Sequence, residues 1–292
     1  MRVNVLVTGA SGQIGQATVA RLHEAGHDVQ AIALREPGIL DRLPSSIDAV
    51  VHLGGQTNAY VARADISTDV RDSVVTFVDL LDRLREARRP PLVILAGTLT
   101  QSTTQERYAP TTFYDVAKNA SQMYLEQACL EGWVHGLTLR LSNVYGGITA
   151  DHHSSPRGFL NLCIARALAG ETITIYGDGS QQRDYVHVDD VAELITSAVN
   201  SSSTARPCAS YNVGSGHSTT LISAVELVIE IVQEHTGRRA PIQHQPWPTA
   251  AYAIETRSAL VDPRPVRTVY GWTPRLDLTA GISRTIQAYL DK

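Results

Sequence analysis

A short apolar run, Arg2 to Val7, leads without a break into Thr8-Gly9-Ala10-Ser11-Gly12-Gln13-Ile14-Gly15. Behind it, Gln16 to Ala25 carries helical spacing, with Ala17, Ala20, Leu22 and Ala25 on one side and Gly26 as a stop. A buried strand, a glycine turn and a helix in immediate succession leave few options. The backbone turns tightly where side chains would obstruct it. The first amides of the helix then face outward, where they can bind an anion such as a pyrophosphate. The fold predicted from this opening is α/β, a doubly wound parallel sheet of the Rossmann-like kind. The loop residues expected at a dinucleotide are Gly9, Ser11, Gly12, Gln13, Ile14 and Gly15.

The second strand, Val29 to Leu34, ends at Ala33-Leu34-Arg35. A carboxylate at that end would bond the ribose hydroxyls of NAD, whereas a nearby arginine accommodates the extra phosphate of NADP. Ala33 and Arg35 therefore predict NADP (NADPH), with NAD as the alternative. The next strand runs from Ile47 to Leu53, and the interval after Arg35 holds Pro37, Gly38 and Pro44. That interval is too short for a helix, a strand and a second helix, so the third-strand region of the sheet is expected to be shortened. Gly54-Gly55-Gln56-Thr57 closes strand 47–53 and is placed, with Leu53, to line the cofactor's second half.

Further along, Asp72 to Arg88 has the spacing of a long helix, stopped by Pro90 and Pro91, and Leu92 to Leu95 is a strand running into Ala96-Gly97-Thr98. Thr98 lies at a strand's carboxyl end, where open α/β sheets hold their ligands. Tyr114 and Lys118 follow, four residues apart at the start of a predicted helix, hence on one face. The chain has 25 Lys and Arg together, yet only Lys118 and Lys292 are lysines. A compact ammonium can crowd a phenol as a flat guanidinium cannot. A cation one turn away favours the phenolate, so Lys118 is expected to lower the Tyr114 pKa and make it a general acid/base. Later come a strand at 137–141, helices at 159–169, 191–199, 221–236 and 279–290, and a loop from Pro241 to Pro248. Asp189 and Asp190 are expected to cap helix 191–199.

Taken together these segments resemble the extended short-chain dehydrogenase/reductases, in the nucleotide-sugar epimerase, dehydratase and reductase group. The likeness rests on Gly9, Gly12 and Gly15, on Thr98, Tyr114 and Lys118 in order, on Leu139 to Gly146, and above all on Gly177 to Ala192. It implies that Thr98, Tyr114 and Lys118 are catalytic. Tyr114 exchanges the proton, Thr98 bonds the same oxygen, and Lys118 also holds the nicotinamide ribose. It implies substrate contacts from Thr98, Asn143 and Arg183, with Arg257 as a second phosphate contact, because the register of the usual arginine falls on Tyr252. It further implies a dinucleotide-binding domain of residues 1–147 with 182–214, and a smaller C-terminal substrate lobe of 148–181 with 215–292. Related enzymes pair through two helices, so a homodimer through 72–88 and 114–130 is expected. Related dehydratases carry Asp-Glu after the triad Ser/Thr, whereas Leu99 and Thr100 follow Thr98 here. The expected reaction is thus NADPH-dependent reduction of a keto group on a nucleotide-linked sugar or deoxysugar, with an NAD-dependent nucleotide-sugar 4-epimerase as the alternative.

Composition narrows the remaining classes. A net charge of -4 argues against a general nucleic-acid partner. Cys129, Cys163 and Cys208 are scattered and odd in number, which reads as reduced thiols rather than a disulfide frame or a zinc site. His152 and His153 lack carboxylate or thiol neighbours at metal-ligand spacing, so no metal is expected. No apolar run has the length of a membrane span, and Met1 leads straight into a strand, so the expected location is cytoplasmic.

Overall fold

The computed structural model describes residues 2–44, 46–102, 108–147, 156–201 and 208–291. Its centre is a six-stranded, all-parallel sheet in the order β2-β1-β3-β4-β5-β9. These strands are β1 (Asn4–Thr8), β2 (Asp28–Ile32), β3 (Ala49–His52), β4 (Leu92–Thr98), β5 (His135–Leu141) and β9 (Cys208–Val213). β3, β4 and β5 are buried almost throughout, as continuous apolar runs in a sheet covered on both faces should be.

On one face lie α1 (Gln13–Glu24) and α7 (Val188–Asn200), around Val7, Val51, Ile94, Leu139 and Ile195. The other face is covered by α4 (Thr76–Leu84) and α5 (Phe113–Leu130), which bury Phe77, Leu80, Leu84 and Leu125 against Val50, Val93 and Leu95. A third cluster gathers α6 (Phe159–Ala169), α8 (Leu221–Thr236) and α10 (Leu278–Leu290) around Tyr145, Ile164, Ile175 and Val228. Beside it, β8 (Gln182–His187) pairs with β6 (Asn143–Tyr145) and with β10 (Ser218–Thr220), while β7 (Ile173–Tyr176) pairs with β11 (Ile242–Gln245).

The shortened region predicted between 36 and 46 is present. Among the described residues only a single 3-10 turn, Leu40–Arg42, stands between β2 and β3, and β2 forms the sheet's edge. Three local expectations need correction. The helix expected at 72–88 is α3 (Ile66–Val70), a π-helical turn (Arg71–Val75) and α4, ending at Leu84, with a separate α2 (Ala59–Ala64) before it. Pro241 to Pro248 contains strand β11, because residues 242–245 find a partner in β7. The cap of α7 is His187, whose ring nitrogen accepts from Asp189 N; Asp190 instead receives the amides of Arg275 and Leu276. α9 (Arg264–Tyr270) and two 3-10 turns, Leu99–Gln101 and Ala253–Thr256, are the other elements among the described residues.

Candidate active site

The glycine turn joins β1 to α1 at the carboxyl end of the sheet. Gly9 has φ +69, and a Cβ there would stand 2.7 Å from the Leu53 backbone. A Cβ on Gly15 would overlap the Gly9 carbonyl. These two glycines let β1, β3 and α1 meet. The start of α1 has Gly12 at its cap, no side-chain cap and no acid in its first turn. Its amides are therefore left to an external anion, and the residues present fit a dinucleotide pyrophosphate there.

A cavity of about 230 Å³ extends from that turn. Gly9, Gly12, Gln13, Ile14 and Gly15 line it on one side, and Leu53, Thr98, Tyr114 and Lys118 on the other. Ser11 stays exposed at its rim. Gly54 and Gly55 lie behind the lining: Gly54 packs on Thr8 and His52, Gly55 on Ser73. Gln13 donates to the Gly146 carbonyl, at 2.6 Å. Arg35 does not reach the cavity wall. Its guanidinium pairs with Asp72 at 2.5 Å, so the charge expected to select NADP already has a carboxylate beside it.

Thr112 and Asp115 start α5 with a reciprocal capping box. That fixes Tyr114 in the first turn and Lys118 one turn on. Lys118 is buried; its Nζ donates to the Ala96 carbonyl at 3.0 Å and stands 5.9 Å from the Tyr114 ring centroid. Burial lowers its pKa to about 8, against the field of Asp69, which raises it. The Tyr114 hydroxyl lies against the Thr98 side chain. Here the expectation from sequence is reversed. Burial drives the Tyr114 pKa above its ordinary value, and the fields of Asp115 and Asp69 add to the rise. Lys118 is itself desolvated and turned to a carbonyl, so in the protein alone Tyr114 is a neutral phenol.

A second cavity, of about 580 Å³, opens on the other side of Tyr114. Thr98, Tyr114, Asn143, Arg183 and Arg257 all line it, so the expected substrate residues are brought together. Asn143 donates to the Asp184 carbonyl at 3.1 Å, and Arg183 donates to the carbonyls of Glu255, at 2.6 Å, and of Arg257. Arg257 in turn donates to the Leu99 carbonyl at 3.0 Å. Asp184 takes no ion pair from Arg183; it is fully buried and accepts from Ser215, Gly216 and Val261 amides. Tyr252, at the register of the missing arginine, does not line that cavity itself; its ring packs, tilted, against Tyr60, which does, and lies under Arg63.

Thr57, in the turn expected to line the cofactor, lines both cavities, whereas sequence reasoning missed Tyr60, Ser142 and Glu255 as lining residues. It also missed the role of Thr100, whose hydroxyl bridges Thr98 and Asp115. Only the closeness of Thr100 to Thr98 was visible as a signal. His152 and His153 lie outside the described residues, and among those described no cluster of ligands can hold a metal. Likewise no described helix is long and apolar enough to cross a membrane.

Residues 5–214 match the model of the NAD dependent epimerase/dehydratase family. The chain belongs to that family. A UDP-glucose 4-epimerase of Mycolicibacterium smegmatis is 28% identical, over 99% of each chain. A dTDP-glucose 4,6-dehydratase of Neisseria gonorrhoeae is 24% identical, over 99% of this chain and 96% of the relative. In fold, the chain is similar to a Thermus thermophilus UDP-glucose 4-epimerase in complex with NAD, with a TM-score of 0.79 at 24% identity over 98% and 99% of the two chains. This is therefore an enzyme of the NAD-dependent epimerase/dehydratase family, on the α/β fold read from the sequence.

Proposed function

We propose that the enzyme reduces a keto group on a nucleotide-linked sugar, with Tyr114 as the proton donor. The observation that carries this reading is the place and state of Tyr114: a neutral phenol at the junction of two cavities, one fitted to a dinucleotide and the other holding two arginines. Water loss needs a further acid and base beside the sugar, yet the positions after Thr98 carry Leu99 and Thr100, neither ionisable. In this reading residues 1–147 with 182–214 bind the dinucleotide, and 148–181 with 215–292 the sugar nucleotide. Arg183 and Arg257 grip its diphosphate, Asn143 its nucleotide side, and Lys118 the cofactor ribose. The bound nicotinamide supplies the hydride.

NADPH remains the proposed donor, because Arg35 is two-thirds exposed and keeps N–H groups beyond the one on Asp72. A specific observation favours a second reading, an NAD-dependent 4-epimerase: the carboxylate of Asp72 stands beside Arg35 and offsets the charge that would prefer NADPH. One assay separates the two. Purified protein is mixed with a dTDP- or UDP-linked 4-ketosugar and either reduced cofactor, and with UDP-glucose alone. Stoichiometric loss of reduced nicotinamide with the ketosugar is the expected result. Epimerisation of UDP-glucose with no added cofactor would overturn it in favour of the second reading.

A further inference from the structure

Cys129 and Cys208 are far apart in sequence and neighbours in the fold. Cys129 lies in the last turn of α5 and is 7% exposed; Cys208 is the first residue of β9 and is exposed. Gly136 brings them together. In the β5–β9 register Gly136 is the partner of Cys208, so the two residues sit side by side, about 4.8 Å apart, with their side-chain directions on one face of the sheet. A Cβ on Gly136 would stand 2.5 Å from Cys129 Sγ. The Cys129 sulfur thus fills the place of a side chain at 136, and the next side chain across the sheet on that face is Cys208. The two thiols also act on each other's protons. Cys129 pulls the Cys208 pKa below its ordinary value, against burial and the field of Glu126, whereas Cys208 and burial push Cys129 up. The thiolate therefore resides on the exposed member of the pair, and the buried member keeps its proton. Cys163 is 1% exposed in the separate cluster around α6 and α8, where burial pushes its thiol up to about 12.

We propose that Cys129 and Cys208 form an oxidative modification site, which hydrogen peroxide converts to an intramolecular disulfide between the end of α5 and the start of β9. The Cys208 thiolate attacks one peroxide oxygen. An S–O bond forms, the O–O bond breaks, and hydroxide leaves, to be protonated to water; Cys208 is left as a sulfenic acid. The Cys129 sulfur then attacks the Cys208 sulfur. The S–S bond forms, the S–O bond breaks, and the sulfenic oxygen departs as water with the Cys129 proton. Two thiols and one peroxide thus give one disulfide and two waters, the sulfurs losing the two electrons that the peroxide gains. A disulfide requires Cα atoms no more than about 6.8 Å apart; with no side chain at 136, α5 can settle to that range of β9 on oxidation. The bond joins segments that otherwise separate on unfolding, so it restrains the unfolded chain and raises the melting temperature. The site is independent of the reaction proposed above, since Tyr114 and Lys118 lie at the opposite end of α5.

The test treats the purified protein with a small excess of hydrogen peroxide, blocks the remaining thiols, and digests it without reductant for mass spectrometry. The expected product is a peptide pair joining Cys129 to Cys208 within one chain, with Cys163 still reduced. Its intact mass is lower by two hydrogens, and its melting temperature is higher by several degrees until dithiothreitol reverses both. In Cys129→Ser the reaction is expected to stop at the Cys208 sulfenic acid, which dimedone traps. In Cys208→Ser, Cys129 is expected to stay reduced, because the exposed thiolate that starts the reaction is gone. Cys208 found oxidised with Cys129 still free, or linked to a second chain, overturns the proposal. So does oxidation of Cys129 in Cys208→Ser at the wild-type rate, or a wild-type protein that peroxide leaves with both thiols reduced. Should either serine variant fail to fold, the digest of the wild-type protein decides alone.

Discussion

In the proposed reading Tyr114 and Lys118, one turn apart on α5, act with Thr98 at the end of β4, and the first two have expected signatures. Tyr114→Phe removes the proton donor and leaves the cofactor cavity's shape. Its kcat is expected to fall by roughly 10²–10⁴-fold, with the dissociation constant for the dinucleotide unchanged by fluorescence titration; wild-type turnover would refute the assignment. Lys118 gives a pH dependence. Its pKa is lowered to about 8, so the ammonium is present below that pH and is lost as pH rises through it. In the free enzyme kcat/KM should therefore decline above about pH 8. A guanidinium keeps its charge across that range but cannot take the ammonium's place against Ala96. Lys118→Arg is accordingly expected to be poorly active and to lose the alkaline decline. A decline that survives the substitution would assign it to another group.

Elements decide what sequence could and could not reveal. The strands and helices of the sheet were legible because apolar periodicity is local, and the missing third strand was legible as a shortage of residues between Arg35 and Ile47. Strand β11 was not, since Ile242 to Gln245 takes its conformation from pairing with β7, far away in sequence. The same limit hid two contacts at the site. Arg35 meets Asp72 only because the loop after β2 folds against the start of the π-helical turn. Thr100 meets Asp115 because β4 delivers a short turn onto the cap of α5. Tyr114 and Lys118 were readable as a pair, but not the burial that raises one pKa and lowers the other. The Arg35–Asp72 pair yields a prediction at this scale. A charge-assisted bond to phosphate contributes about 1.5–3 kcal/mol, and Asp72 opposes it. Asp72→Asn should tighten NADPH by roughly tenfold or more while NADH changes little, and Arg35→Ala should weaken NADPH alone. Calorimetric titration of both cofactors checks this; equal effects on NADPH and NADH would place the pair away from the ribose phosphate.

For the whole molecule, a group of the exposed apolar side chains gathers on two neighbouring helical segments. Phe113, Val116, Met123, Tyr124 and Leu130 are all substantially exposed on α5, Leu130 by 81%. Ile66, Val70 and Val75 are exposed on the segment from α3 into the π-helical turn, which packs beside α5. On α5 the spacing of 113, 116, 123, 124 and 130 follows the helix period, so these side chains form one stripe facing away from the sheet. Apolar stripes of this extent on paired helices mark association surfaces rather than solvent-facing ones. A second copy can lay the same two segments across them, since a two-fold arrangement makes each patch its own complement. A stable pairing of this kind needs about 800 Å² from each partner, which two neighbouring helical segments can supply. Sedimentation at micromolar concentration should therefore give twice the 31.7 kDa chain mass. Met123→Glu places a carboxylate in the middle of the stripe and should yield a folded monomer, with an unchanged circular dichroism spectrum. Because Tyr114 and Lys118 sit on the same helix, that monomer should also lose activity through a loosened α5, and rising protein concentration should not restore it. Wild-type protein that sediments as a monomer would refute the pairing and leave the stripe to another partner.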